Sequence, residues 1–203
     1  PPPNRFWTAF EKDIEKPPRR VLHESGETYL DRDNLNVLLL AGAGSIALNT
    51  TNADKRLGED IYDKDGLDGF TDEAFNIIGC PATHFAATGL WYALAADSDD
   101  QLNRSRAWTL MTALSLNGLT TMALKVINHN HSPNGEPLAW PSGHTSSSFT
   151  VAAVLDEYYG PRVGIPAYLA AGFVGYRMMD SGDHWPSDVL FGAALGYVVG
   201  HSV

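Results

Sequence analysis

The stretch 104–128 constrains this chain most. At helical spacing, Leu110, Ala113 and Leu114 share one face, while Leu116, Leu119, Ala123 and Val126 cover another. A helix apolar on several faces belongs inside a bundle rather than on its rim. The rest of the chain agrees with that reading. Residues 34–48 are apolar and rich in alanine and glycine, and 82–96 follow Pro81 with the same character. Further helices are expected over 145–158, 166–179 and 186–201, the last with Pro186 suited to its first turn. Strand-type alternation is absent over any useful length. The fold class that follows is all-α, a soluble helical bundle with 104–128 near its centre.

Residues 1–34 are polar and hold Pro17 and Pro18. They read as an extended N-terminal arm, with a short helix around 10–15. Residues 35–203 read as a single helical-bundle domain. With 203 residues the chain can bury a core without staples. Its one cysteine, Cys80, allows no internal disulfide. The apolar runs 35–48 and 165–174 are shorter than the roughly 20 residues a membrane span needs. No transmembrane span is therefore expected.

The formal net charge of -10 brings no basic stripe, which argues against a nucleic-acid partner. An acidic chain also repels anions at long range, so a phosphate substrate would need a local cationic pocket. The acidic stretch 59–73 suggests a calcium loop beginning at Asp63. That pattern wants a ligand at the fifth position and glycine at the sixth, where Leu67 and Asp68 stand. A solvated loop is the better reading.

Three segments carry chemistry. Pro141-Ser142-Gly143-His144 precedes an apolar helical stretch. Serine and glycine there are most simply a cap, yet the same geometry offers free N–H groups to an anion. Arg177 is followed by His184 and Asp188. If the chain is helical from His184 onward, the spacing of four puts His184 and Asp188 on one face, where the carboxylate can fix the imidazole. The plainer alternative is an acidic first turn at a helix N-terminus. Lys125 closes the long helix, with Ser132-Pro133 beyond it. Alone, that lysine would simply neutralise a helix C-terminus.

Taken in order, these segments resemble the type-2 phosphatidic acid phosphatase superfamily. That family contains lipid phosphate phosphatases, class A acid phosphatases and vanadium haloperoxidases. Its motifs are Lys-x6-Arg-Pro, Pro-Ser-Gly-His and Ser-Arg-x5-His-x3-Asp. The resemblance covers Lys125 to Asp188 and departs at three points. Ser132 stands where the first motif has arginine, Tyr176 replaces the serine before Arg177, and six residues separate Arg177 from His184.

The resemblance implies a metal-independent phosphatase acting on a phosphorylated small molecule or a lipid phosphate. His184 would be the nucleophile, giving a phosphohistidine, and Asp188 would orient it. His144 would be general acid and base. Lys125, Ser142, Gly143 and Arg177 would hold the phosphoryl oxygens. No cofactor is implied, and a periplasmic or otherwise extracytoplasmic location is. The missing arginine would cost about 3 to 4 kcal/mol of barrier if nothing replaced it. Ser132, His129 and His131 are the nearby substitutes, although two exposed loop histidines are the plainer reading. Gly182 is suited to absorb the extra residue, and Asp180 and Asp183 would repel a phosphate if they faced it. Two other readings stay open: a haloperoxidase that takes vanadate as cofactor, and a phosphate- or lipid-binding member with weakened catalysis.

Overall fold

The computed structural model describes residues 5–14, 26–62 and 66–202. Among them the chain is all-α, and its one β-type pairing is an isolated bridge between His131 and Pro137. The helices are α1 (Arg5–Ile14), α2 (Arg32–Thr50), α3 (Ala53–Tyr62), α4 (Gly69–Gly79), α5 (Pro81–Asp97), α6 (Gln101–Asn128), α7 (Gly143–Tyr159), α8 (Pro161–Asp180) and α9 (Pro186–His201). A further helical turn occupies 26–30.

Local chemistry sets most helix starts. Asp31, Asp68, Asp100 and Ser142 cap α2, α4, α6 and α7, each accepting backbone N–H groups of its own first turn. Pro81, Pro161 and Pro186 occupy first-turn positions of α5, α8 and α9, where no hydrogen bond is lost. Pro166, expected to open its helix, lies inside α8 instead, because Pro161 already opens it.

Three expectations need correction. Residues 5–14, where a short helix is expected only around 10–15 of an extended arm, form a longer helix whose Ala9, Phe6 and Phe10 pack on Tyr92, Ala107 and Trp108. Residues 1–4 and 15–25 of that arm lie outside the described residues. The acidic stretch 59–73 is not one solvated loop: it holds the end of α3 and the start of α4. Residues 63–65, where the calcium reading began, lie outside the described residues.

The third correction concerns α6. The most enclosed helix is α7, which packs on α9, α8 and α6. Beyond Leu116 only one face of α6 is buried. Leu110, Ala113, Leu114 and Leu116 join Val154, Leu195 and Val199 in the main core, while Leu119, Met122 and Val126 are exposed. At 28 residues, α6 is also long and apolar enough to cross a membrane. The expectation that no segment reaches that length therefore fails.

One seam positions the site. Gly192, Gly196 and Gly200 of α9 face Ser142, Ser146 and Thr150 at the start and along the length of α7. Both series repeat every four residues, so each forms a single stripe. A Cβ on Gly196 would overlap the Ser146 carbonyl oxygen, and one on Gly192 would come within 2.7 Å of the Ser142 carbonyl. Small residues on both sides let the two backbones touch, as in close-packed helix pairs generally. This seam holds the N-termini of α7 and α9 together at one end of the bundle.

Candidate active site

A cavity of about 430 Å³ opens at that end. Lys125, Ser132, Gly143, His144 and His184 line it, with Glu136 and Asp183 among their neighbours. Residues scattered over three sequence motifs thus meet in one pocket.

His184 lies before α9 rather than in it. Trp185 is the N-cap residue, and its N–H donates to Asp188 Oδ2 over 2.9 Å. The shared face expected from a helix starting at His184 does not exist. The pairing comes instead from the turn that leads into the helix, which leaves His184 Nδ1 3.5 Å from Asp188 Oδ2. That separation is an ion-pair distance, and the alignment there falls short of a hydrogen bond. Asp188, fully buried, therefore does both things its sequence context allowed: it caps the helix and faces the imidazole.

Residues outside the motifs hold this corner. Asn130 Nδ2 donates to Asp188 Oδ1 over 3.4 Å, and Asn130 Oδ1 accepts from Trp140 N over 2.7 Å. Asp54 on α3 accepts the Ser187 N–H over 2.8 Å, so a carboxylate from another helix caps the α9 N-terminus. Its second oxygen is buried without a partner, and burial pushes the Asp54 carboxyl above the usual range. Ser45 on α2 donates to the Ser187 carbonyl and accepts from Trp140 Nε1. Sequence reasoning passed over Asn130, Asp54 and Ser45. No local signal marks them, because their partners are distant along the chain.

His144 sits in the first turn of α7, at the polar end of the bundle. Burial, followed by the nearby charges of His184 and Arg177, pushes its pKa down to about 4. His144 is therefore a neutral imidazole at neutral pH. Lys125 Nζ donates to the carbonyls of Leu138 and Ala139, which ties the end of α6 to the loop before α7.

The other expected phosphate ligands are placed differently. Ser142, fully buried, turns its hydroxyl to Thr145 as a cap and does not line the pocket. Ser132 does line it, but its hydroxyl binds Asn134 Oδ1 and the Glu136 backbone N–H within its own turn. His129 is exposed in the left-handed conformation that ends α6, and its Nδ1 meets the Val126 carbonyl. His131 is exposed too and offers its carbonyl to Trp185 Nε1. Neither histidine takes the place of the arginine missing from the first motif.

Arg177 is buried behind the pocket wall. Its Nε and Nη2 donate to Asp72 of α4 over 2.7 and 3.2 Å, and its Nη1 donates to Asp183 over 2.8 Å. Asp72 is another residue the sequence reading missed. Gly182 adopts a φ of 71° in the turn that accommodates the additional residue, as its lack of a side chain allows. Asp180 faces away and accepts the Leu67 N–H over 3.0 Å.

Residues 126–203 match the family model of the PAP2 superfamily. Over 106 residues the chain is 34% identical to a lipid A 1-phosphatase of Porphyromonas gingivalis. That match covers 48% of this chain but only 24% of the relative, so the chain spans about a quarter of that protein's length. Two crystal structures share the fold. Aquifex aeolicus LpxE matches with a TM-score of 0.60 at 22% identity, covering 71% of this chain and 90% of that one. A transmembrane PAP2-type phosphatidylglycerolphosphate phosphatase from Bacillus subtilis matches with a TM-score of 0.69 at 18% identity, covering 85% and 92%. The three motifs in order and their meeting in one pocket agree with the match of residues 126–203 to the PAP2 superfamily, which the C-terminal part of the chain resembles.

Proposed function

We propose that this protein is a lipid phosphate phosphatase that works at a membrane surface through a phosphohistidine. The observation that carries the reading is the meeting of Lys125, Gly143, His144 and His184 around one cavity. In the proposed sequence His184 Nε2 attacks phosphorus while its Nδ1 faces Asp188. The bond from phosphorus to the ester oxygen breaks, and His144 gives that oxygen a proton. A water then attacks the phosphohistidine, giving a proton to His144, and inorganic phosphate leaves. Lys125 and the N–H of Gly143 would stabilise the oxygens that gain charge. A neutral His144 must first take up a proton, and an arriving phosphate dianion favours that uptake. This scheme calls on no metal or cofactor.

A lipid substrate is favoured by the protein's outer surface. Residues 34–50, 85–96, 107–124 and 163–176 contain no Asp, Glu, Lys or Arg. Leu40, Leu90, Leu94, Leu119, Ile165 and Leu169 project from them and are more than half exposed. So many exposed apolar side chains facing water would be costly. A bilayer removes that cost, and relatives named for lipid substrates agree. Arg5, Lys12, Arg32, Arg104, Arg106 and Arg162 lie at the end away from the pocket, against Lys55, Arg56, Lys125 and Arg177 at the pocket end. Excess Arg and Lys favours the cytoplasmic side, which would turn the pocket outward to the extracytoplasmic face.

One assay tests the whole reading. Membranes from cells expressing the chain should release phosphate from phosphatidate in detergent micelles faster than from p-nitrophenyl phosphate, and His184→Ala should abolish both activities. Acid-labile phosphate should accumulate on His184 in His144→Asn. Activity confined to the soluble fraction would overturn the membrane placement. Full activity in His184→Ala would overturn the mechanism.

A further inference from the structure

We infer that Asp183 is an affinity-setting residue of the phosphate pocket, a built-in competitor that occupies Arg177 where a phosphoryl group would otherwise bind. The inference rests on the proposed phosphatase reading. It starts from a departure in the sequence. Six residues separate Arg177 from His184 where the family motif has five, and Asp183 is the residue immediately before His184.

The geometry gives that residue a role. Asp183 lines the cavity with His144, His184 and Lys125, whereas Arg177 does not line it. Between Arg177 and the cavity, Asp183 Oδ2 accepts from Arg177 Nη1 over 2.8 Å. The same oxygen accepts the Ser181 hydroxyl over 2.7 Å, and Oδ1 accepts Asn134 Nδ2 over 2.9 Å. A carboxylate held by a guanidinium, a hydroxyl and an amide reproduces the donor set that a phosphate would use. The opposite edge of Arg177 is taken by Asp72, which stays outside the cavity. With both pairs formed, the guanidinium charge is neutralised twice, and Lys125 is the one lysine or arginine among the cavity-lining residues.

A phosphate dianion entering this cavity meets a carboxylate in front of the arginine meant for it. Either it displaces Asp183 or it binds without Arg177. In both cases free phosphate is held more weakly than the family motif alone implies. The side chain of Asp183 is 39% exposed and can swing into solvent, whereas that of Arg177 is 10% exposed and is fixed by Asp72. The mobile partner is therefore the acid. Its consequence for turnover is easier release of the product, since Asp183 closes back onto Arg177 as inorganic phosphate departs.

The test uses Asp183→Asn, which keeps the shape and removes the charge, with Asp183→Ser as a second variant if the amide perturbs the turn. Binding of inorganic phosphate is measured by calorimetry on the detergent-solubilised full chain, beside its inhibition constant in the lipid assay. Both variants should bind phosphate about tenfold more tightly or better. KM should fall in step, and kcat should fall less than KM or stay level. Asp72→Asn, which frees the far edge of Arg177, should not tighten binding. Unchanged or weaker phosphate binding in the Asp183 variants would reduce Asp183 to a positioning partner of Arg177 and overturn the inference. Equal tightening by Asp72→Asn would overturn it too, because the effect would then be one of net charge alone. If no form turns over substrate while the Asp183 variants still bind phosphate more tightly, the competition stands and the phosphatase reading falls.

Discussion

The first hundred residues and the last seventy-eight divide the work unequally. Residues 126–203 carry the family match and nearly every side chain that faces the pocket. The first hundred carry no motif, yet they supply Ser45, Asp54 and Asp72, each bonded to a residue of the C-terminal part. The residues that line the pocket are local in sequence, while several groups that hold them arrive from far away. Asp72 and Arg177 are separated by 105 positions, and Asp54 and Ser187 by 133. A short motif records the chemistry of a site and not its scaffolding.

Substitutions on both sides of this division sharpen it. The largest effect is expected inside the C-terminal part, at the α7–α9 seam. Gly196→Val would drive a branched side chain into the Ser146 carbonyl and Phe149. Overpacking of this kind costs about 1–3 kcal/mol or more, and it should lower the denaturation midpoint and the activity together. An unchanged midpoint would mean that the seam is not close-packed. Next comes Asp54→Ala, which removes the carboxylate at the N-terminus of α9 from the other half of the chain. Loss of such a cap costs about 0.5–2 kcal/mol. The start of α9 beside His184 should loosen, so kcat should fall severalfold with little change in KM. Wild-type kinetics in this variant would show that the first hundred residues do not support the site through α3. The smallest effect is expected for Ser45→Ala, which removes one buried hydrogen bond to Ser187 and one from Trp140. A net hydrogen bond contributes about 0.5–1.5 kcal/mol, so thermal unfolding should shift slightly while phosphate release stays within twofold.

What could be read from the sequence follows the same line. The six longer helices were legible, because apolar spacing and capping residues mark them. Lys125, Gly143, His144 and His184 were legible because each sits in a short string whose order is itself informative. Helices α3 and α4 were not, since both are short and open onto an acidic stretch that resembles solvated loop. Asp72 looked like one more charge in that stretch, and only the fold brings it to Arg177. Ser142 and Ser132 were misread for a different reason: their hydroxyls close local turns and are not free for an anion. The hardest feature was α6. A helix apolar on several faces satisfies a protein core and a lipid bilayer equally well. Composition alone does not separate them, and the exposure of Leu119, Met122 and Val126 had no sequence signal.

The glycine seam between α7 and α9 has a consequence for how the pocket handles its ligands. Because the two backbones touch, His144 in α7 and His184 in the turn leading into α9 flank what is mechanically one stiff body. They do not work as jaws that close on a substrate. Whatever yields on ligand entry belongs to the surrounding loops, where Lys125 donates to the Ala139 carbonyl and Asn134 to Asp183 through hydrogen bonds rather than close packing. Reactivity and selectivity are thereby separable properties of this protein, the first built into a rigid frame and the second into loops that can be rewritten residue by residue without disturbing it.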